Sequence, residues 1–343
     1  DGETDEDLAG SLVRIPLDGA TPTTLSIAGI PGKGFVVGFA TAAAQSAYRV
    51  LMLAEPDYTP GRKIEVAAGA LLPLAVTESH VFWLQDDEVL AKELQDGLPA
   101  GSAIVTPMSP APSELAAIGG ATLGQSFAVW TGGTTFKALV LNGRKKTGFA
   151  RSLPSPSQHL ALARLDGESV LAVYEGGDGL AAIHVTKQSL GTLHPWSPAS
   201  LLGARSPSGA GMAVAFVAKE GATDRVYIGR ALDQRLAAED YTAVSAAGNV
   251  NAPALAALGD STWLVAWLQQ NGSTTIVNTV RISWDSHGWG IPSLSTGFMH
   301  PSDATAQVVG VAAASDGTRF MVLAHTHGQA GDELFAWMDC PAN

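Results

Sequence analysis

A short apolar motif that ends in an aromatic residue recurs along this chain. It occurs six times, and a seventh copy lacks the aromatic residue. The copies are residues 36–39 (VVGF), 81–83 (VFW), 127–130 (FAVW), 171–174 (LAVY), 213–216 (AVAF), 264–267 (LVAW) and 320–324 (FMVLA). A spacing of about 40 to 60 residues indicates a repeated supersecondary unit that buries its apolar surface only against neighbouring copies. The repeat therefore constrains the architecture more than the chemistry.

The sixth copy shows the organisation of one unit most clearly. An apolar run at residues 254–258 is followed by a turn at 259–261 and a second apolar run at 263–267. The sequence Asn271-Gly272-Ser273 predicts a hairpin, because Asn-Gly between apolar runs favours tight turns. Residues 276–282 then alternate apolar and polar side chains, as a half-buried strand does.

The other copies fit the same order of four short antiparallel strands. The first two strands are the most apolar, and the fourth is the weakest, as near Phe149 and at residues 241–245. A radial blade requires this gradient, because its inner strands are covered on both faces and its outer strands meet water. No stretch sustains apolar residues at helical spacing, so we expect almost no helix.

Counting the copies predicts an all-β fold, a seven-bladed β-propeller of four-stranded antiparallel blades. The last copy lacks one strand, and residues 12–17 supply a spare strand upstream of the first copy. We therefore predict that this N-terminal strand completes the seventh blade and closes the ring, which removes exposed sheet edges. Residues 1–10 are predicted to be a flexible acidic leader, and residues 11–343 a single propeller domain.

Charge and cysteine content exclude several functional classes. The formal net charge of −12 argues against nucleic acid and anionic membrane surfaces as partners, since both require basic residues. No apolar run reaches the roughly 18 residues that a membrane span requires. Cys340 is the single cysteine, so an intrachain disulfide and a cysteine-based metal cluster are excluded. Its role stays open between an idle thiol and an intermolecular bridge.

Residues 252–260 (APALAALGD) followed by WLVAW at 263–267 resemble the repeats of bacterial secreted β-propellers, including sialidase-type blades. Residues 283–289 (SWDSHGW) are similar to the Asp-box turn of sialidase blades, with the glycine one residue later. The resemblance implies a propeller and a structural role for this turn. It also favours export, as does the acidic start at Asp1, which is typical of a processed terminus. A preceding lipid anchor is left open.

Two histidines form the metal-like motif of the sequence. His325 and His327 are two residues apart on a predicted strand, so both imidazoles lie on one face. Asp332 and Glu333 follow across the expected hairpin and could add oxygen ligands. The alternative is an idle polar loop. We expect no cofactor, and a structural calcium ion stays open.

Acidic residues cluster where the second and third strands of several blades join. In propellers this rim is usually the binding face, so the cluster predicts an acidic collar for a cation or a basic partner. The alternative is a set of solvated turn residues that keep the protein soluble. The binding-face candidates are Asp86, Asp87, Glu88, Glu175, Asp178, Asp332 and Glu333.

No motif selects catalytic residues. A glycosidase needs two carboxylates that face one sugar, and the sequence singles out no such pair. A sialidase would also need three arginines around a carboxylate. Its candidates would be Arg49, Arg164, Arg205 and Arg319, none of which lies in a local motif. We therefore predict a protein without catalytic residues.

The eight tryptophans suggest a lectin, because indole faces stack on sugar rings. Those that end the buried second strands are better explained by packing between blades. Trp196, Trp284 and Trp289 lie in outer strands or loops, and they are the sugar-stacking candidates.

The sequence thus favours a non-catalytic exported propeller that acts as a scaffold or protein-binding subunit of a cell-envelope or extracellular assembly. It would be periplasmic, outer-membrane-associated or extracellular. The second hypothesis is a carbohydrate-binding propeller, and the third is a glycan hydrolase or lyase.

Overall fold

A computed structural model describes residues 12–42, 46–55, 57–68, 73–85, 87–107, 113–120, 122, 124–298, 305–329 and 331–339. The predicted leader, Asp86 and Cys340 lie outside these residues. Among the described residues the only helical element is a 3-10 helix, Ala238–Asp240. No helix in this part of the chain has the length and apolar character needed to cross a membrane.

The strands form seven antiparallel sheets, which we number as blades in chain order. An N-terminal strand, β1 (Leu12–Ile15), precedes blade 1. Blade 1 contains β2 (Thr21–Ile30), β3 (Gly34–Ala42), β4 (Ala47–Ala54), β5 (Thr59–Pro60) and β6 (Ile64–Ala68). Blade 2 contains β7 (Leu74–Val76), β8 (His80–Gln85), β9 (Glu88–Gln95) and β10 (Leu98–Pro107). Blade 3 contains β11 (Glu114–Gly119), β12 (Gln125–Gly132), β13 (Thr135–Asn142) and β14 (Lys145–Ser152).

The remaining four blades follow the same order. Blade 4 contains β15 (Gln158–Arg164), β16 (Ser169–Gly176), β17 (Gly179–Thr186) and β18 (Leu190–Pro195). Blade 5 contains β19 (Leu202–Ala210), β20 (Ala213–Glu220), β21 (Thr223–Arg230) and β22 (Tyr241–Ala243). Blade 6 contains β23 (Val250–Leu258), β24 (Thr262–Asn271), β25 (Thr274–Asp285), β26 (Gly288–Trp289) and β27 (Ser293–Phe298). Blade 7 contains β28 (Gln307–Ser315), β29 (Phe320–Gly328) and β30 (Gly331–Asp339).

The N-terminal strand closes the ring. β1 pairs antiparallel with β30, with Leu12 opposite Trp337 and Ile15 opposite Leu334. It is the outermost strand of blade 7, in the order β1-β30-β29-β28. Each first strand contacts the first strands of its two neighbours, and β28 contacts β2. The chain is therefore a closed seven-bladed β-propeller, and the predicted fold class and closure are confirmed.

The hydrophobic core is divided into seven clusters, each between two neighbouring blades. In β3, Val37 and Phe39 pack towards blade 7, whereas Val36 and Ala40 pack towards blade 2. This alternation follows from the two-residue period of a strand. A blade buried on both faces needs apolar residues at successive positions, which explains the continuous apolar motifs of the sequence.

Candidate functional site

The end of the ring where the second and third strands of each blade join is called the upper face below. The hairpins β8–β9, β16–β17 and β29–β30 lie there and carry the predicted acidic residues. Asp87 and Asp178 are exposed near the tips, and Glu88 is half-buried. The predicted Asp86 lies outside the described residues.

Glu175 connects two blades. Its Oε2 atom lies 2.8 Å from Nδ1 of His159 and accepts a hydrogen bond from the backbone N–H of Ser206 at 3.2 Å. His159 and Ser206 have φ values of 46° and 50°, and both lie at β-bulges in the first strands of blades 4 and 5. The carboxylate therefore stabilises two bulges, which gives Glu175 a structural role in the ring.

The predicted histidine motif forms a hydrogen-bonded cluster at the ring closure. Nε2 of His325 and Nδ1 of His327 lie 2.9 and 3.1 Å from the same Oδ1 atom of Asp332. The Thr21 hydroxyl donates to Oδ2 of Asp332 at 2.6 Å and links blade 7 to blade 1. Burial raises the pKa of Asp332, but the hydrogen bonds from Thr21 and the two histidines outweigh it and hold this pKa below its usual value.

This cluster is organised around a carboxylate. Both imidazoles point at one Asp332 oxygen, and Glu333 forms an ion pair with Arg14 of β1. Within the described ranges, no group of three or more His, Cys, Asp or Glu side chains is arranged to hold a metal ion. The structure thus brings His325, His327 and Asp332 together within blade 7, and the Thr21 hydroxyl links this cluster to blade 1.

The opposite end of the ring, where the first and second strands join, is the lower face. Three cavities formed by described residues lie there. The channel mouth, about 470 Å³, is lined by residues of all seven blades. A side cavity of about 410 Å³ lies at blades 1 to 3, and a tryptophan groove of about 270 Å³ lies at blades 4 to 6. Glu78 lines both the channel mouth and the side cavity, and Asp260 lines both the channel mouth and the groove.

An ion pair spans part of the channel mouth. Nη2 of Arg164 in blade 4 lies 3.6 Å from Oε1 of Glu78 in blade 2, and Nε of Arg164 donates to the Gly119 carbonyl at 3.1 Å. Burial raises the pKa of Glu78 above its usual value, although Arg164 opposes this shift. A Cβ at Gly119 would lie within 2.0 Å of the Glu78 carboxylate, so glycine leaves the room for this pair.

Asp316 shapes the channel mouth at blade 7. Its Oδ1 atom accepts hydrogen bonds from the backbone N–H groups of Thr318 and Arg319 and from the Thr318 hydroxyl, each at 2.8 Å. The residue is only 1% exposed, and it fixes the turn between β28 and β29. The channel mouth thus combines the carboxylates of Glu78, Asp260 and Asp316 with the guanidinium of Arg164.

The arginines enlisted for a sialidase site do not converge in the described structure. Arg205 forms a bidentate ion pair with Asp224, at 3.1 and 2.9 Å. Arg319 donates to the hydroxyl of Tyr58 at 2.6 Å. Only Arg164 lines the channel mouth. The described residues therefore assemble no three-arginine grip on a carboxylate.

The sugar-stacking candidates separate into two groups. Trp196 is fully buried and meets Phe216 edge-on at 5.7 Å, so no indole face is free for a sugar. The prediction for Trp196 was wrong, because the chain after β18 turns inward between blades 4 and 5. Trp284 and Trp289 are half-buried and lie opposite each other across the β25–β26 hairpin, at the predicted Asp-box.

The acidic residues of the lower face are not among the candidate residues singled out from the sequence. Glu78, Asp260 and Asp316 each follow the first strand of a blade. From the sequence alone, this position is recognisable only as a turn. The available signal was its recurrence, because turns at equivalent positions of successive blades meet at the central channel.

Comparisons with known proteins support the fold. No protein-family model matches the chain, and no curated protein matches it. The WD40 domain of Toxoplasma gondii coronin is similar, with 9% identity, a TM-score of 0.56, and coverage of 97% of this chain and 88% of that one. The β-propeller domain of the Trilobed protease from Pyrococcus furiosus has 10% identity, a TM-score of 0.55 and coverages of 94% and 98%.

A third similar structure is the Cps50 (Swd1) β-propeller domain of Myceliophteria thermophila. It has 13% identity and a TM-score of 0.53, and covers 95% of this chain and 99% of that one. This chain has the β-propeller fold. At such low identities the likeness shows the fold of this propeller alone.

Proposed function

We propose that this propeller is a non-catalytic protein-binding scaffold whose partner docks on the lower face. The observation that carries the proposal is that the channel mouth, the side cavity and the tryptophan groove share one face. They are joined through Glu78 and Asp260, so a partner meets one extended concave surface. Concave surfaces that expose a few convergent polar groups are preferred binding sites.

The charge of the lower face indicates the chemistry of the partner. Beside Glu78 and Asp260, the side cavity contributes the carboxylates of Glu93 and Asp96. The basic residues of these two cavities are already paired. Lys33 donates to Asp96 at 2.6 Å, and Arg164 contacts Glu78. The surface is therefore acidic, and a partner segment with lysine or arginine side chains is complementary to it.

The similar folds are consistent with a binding role and leave activity open. They include a WD40 domain and a propeller domain of a protease. Because the same fold occurs in a WD40 domain and in a protease, the fold does not decide the role. The proposed docking is therefore argued from the surface of this chain.

The proposal includes an exported location, in a periplasmic, outer-membrane-associated or extracellular assembly. This part is supported by the resemblance of the repeats to secreted propellers. Fractionation of the source cells tests it, and recovery in the cytosolic fraction alone would contradict it.

A charge reversal tests the docking face. Asp260→Lys should lower retention of the native partner about tenfold, because it opposes a basic segment at the centre of the surface. The matched control is Asp178→Lys, an equally exposed turn aspartate on the upper face. The measurement is quantitative copurification from the native membrane fraction, with cross-links mapped to each face. Loss with Asp178→Lys and not with Asp260→Lys would refute lower-face docking.

A further inference from the structure

The tryptophan groove has a composition that the protein-binding role does not require. It lies on the lower face at blades 4 to 6. Its lining combines indole, guanidinium, carboxylate and aliphatic groups, from Trp263, Trp284, Arg230, Asp233, Asp260 and Met212. The cavity of about 270 Å³ is slightly smaller than the roughly 300–1,000 Å³ typical of drug-sized ligands. This size suits one small ring.

The aromatic wall of the groove is held in place by its neighbours. Trp284 and Trp289 pair across the β25–β26 hairpin, with ring centroids 5.1 Å apart and planes at 78°. Trp289 lies 5.6 Å from Trp263, whose Nε1 donates to the Ala210 carbonyl of blade 5 at 3.2 Å. The edge-to-face contact of Trp284 and the tilted contact of Trp263 with Trp289 fix the ring orientations, so the wall is preorganised.

Arg230 provides hydrogen-bond donors beside this wall. Its Cζ atom lies 4.7 Å from the ring centroid of Trp284. It ends β21, and no carboxylate of the described residues forms an ion pair with it. Stacking on Trp284 orients the guanidinium of Arg230. Its N–H groups remain available to a ligand, because a cation–π contact uses the face of the cation.

Two carboxylates supply acceptors on the other side of the groove. Asp233 receives a hydrogen bond from Nδ1 of His184 at 2.9 Å, which orients its side chain. Asp260 is exposed at the turn between β23 and β24. With Arg230, the groove carries two acidic groups and one basic group, so it disfavours an anionic ligand.

We propose that the tryptophan groove binds one neutral sugar ring of a glycan. Sugar hydroxyls donate to Asp233 and Asp260 and accept from Arg230, while the C–H groups of the ring pack against Met212 and the part of Trp284 that lines the groove beside Arg230. A neutral ring offers a hydrogen-bond partner to each polar side chain of the groove. A uronic acid would instead place its carboxylate beside two aspartates. This site goes beyond the protein-binding role and does not depend on it.

Saturation-transfer NMR with methyl glycosides of neutral hexoses and of glucuronic acid tests the site. We expect signal for at least one neutral glycoside, weaker binding of the glucuronide, and a change in tryptophan fluorescence on titration. Arg230→Gln should weaken neutral-sugar binding about tenfold. Arg230 lines a part of the proposed docking face, so partner retention by this variant is measured separately from sugar binding.

Two further variants separate stacking from folding. Trp284→Ala should abolish binding, and Trp284→Phe should retain part of it, because a smaller aromatic face remains. Asp178→Asn on the upper face is the control and should bind like the unmodified protein. The proposal is overturned if no neutral glycoside binds, if the glucuronide binds more tightly, or if Arg230→Gln binds as the unmodified protein does.

Discussion

At the scale of single residues, the position of a carboxylate in its blade decides its role. Glu175 and Asp332 belong to the same class of hairpins as Asp178, yet they hold neighbouring blades together. Asp178 is exposed at a tip. The acidic collar predicted from the sequence is therefore partly a set of structural links between blades.

Asp332→Asn should lower the free energy of unfolding by about 1–3 kcal/mol at pH 7. The variant loses charge-assisted hydrogen bonds to Thr21 and two histidines at a nearly buried site. Urea denaturation measures the difference. The control Asp178→Asn should change stability by less than about 0.5 kcal/mol.

The difference in unfolding free energy between Asp332→Asn and the unmodified protein should depend on pH in one direction. The pKa of Asp332 in the folded protein is lower than its usual value of 3.8. Its stabilising contribution is therefore present above this value and lost as the pH falls through the folded pKa. Equal stability of Asp332→Asn and the unmodified protein at pH 7 would contradict the structural role.

His80 should make stability fall as the pH drops below neutral. The side chain is fully buried between blades 2 and 3, with Nδ1 2.9 Å from the Ser126 hydroxyl, and burial lowers its pKa. The unfolded chain takes up a proton near pH 6.5, whereas the folded protein takes it up at lower pH. Unfolding therefore becomes more favourable between these two values, by at most about 1.4 kcal/mol per pH unit.

The measurement is urea denaturation between pH 7.5 and pH 5. His80→Asn lacks this titration, so its stability should decline less steeply than that of the unmodified protein. Parallel pH profiles of the two proteins would show that His80 is not responsible.

At the scale of elements, strands were predictable where both faces are buried. The second strands of the blades and the hairpin at Asn271-Gly272-Ser273 follow directly from continuous apolar runs and turn chemistry. The outer strands were not. β14 is a full strand, Lys145–Ser152, although only a fragment near Phe149 was expected. Its side chains are mostly exposed, so they carry little hydrophobic pattern, and the strand is defined by its antiparallel pairing with β13.

Side-chain contacts between neighbouring blades could not be predicted from sequence patterns either. In the sequence, Arg144 and Lys146 belong to a short basic run without an apolar pattern. In the structure they donate to backbone carbonyls of Ser102 and Val105, and so join the outer strands of blades 3 and 2. Trp196 likewise becomes core through a chain reversal that has no periodic signature.

The packing of the closing strand β1 should depend mainly on the side chain of Ile15. Ile15 is 1% exposed and packs in the cluster between blades 7 and 1. Ile15→Ala should lower the free energy of unfolding by about 2–5 kcal/mol, since it leaves a cavity at the ring closure. The neighbouring Arg14→Ala removes an ion pair of a largely exposed side chain and should cost less than about 1 kcal/mol. Equal losses in urea denaturation would mean that β1 is held by its edge contacts alone.

At the scale of the whole molecule, the ring requires close approach of backbones near its axis. A Cβ at Gly29 would lie 2.0 Å from the carbonyl oxygen of Ser315, where β2 of blade 1 meets β28 of blade 7. Gly209 has the same relation to the Leu162 carbonyl, between blades 5 and 4. At these two contacts the inner strands approach closely because a residue without a side chain stands there. The number of blades was predictable from the repeat, whereas these contacts depend on the radius of the finished ring.

Gly29→Ala should destabilise the protein by more than about 3 kcal/mol or prevent recovery of soluble protein. The added Cβ meets backbone atoms, so β2 and β28 must separate. Gly148→Ala is the control, because its Cβ would lie 3.9 Å from the nearest atom in an outer strand. It should change stability by less than about 1 kcal/mol. Comparable urea midpoints for the two variants would show that the inner contact tolerates expansion.

The pairing of β1 with β30 also determines how the molecule responds to mechanical load. Leu12 lies opposite Trp337, so the chain enters and leaves this strand pair at the same end. A pulling force applied between these two points loads the hydrogen bonds one pair at a time, perpendicular to the strands. The β1–β30 pair should therefore separate at low force. A force applied across the other blades loads many hydrogen bonds of a sheet at once, in shear, and should need to be higher.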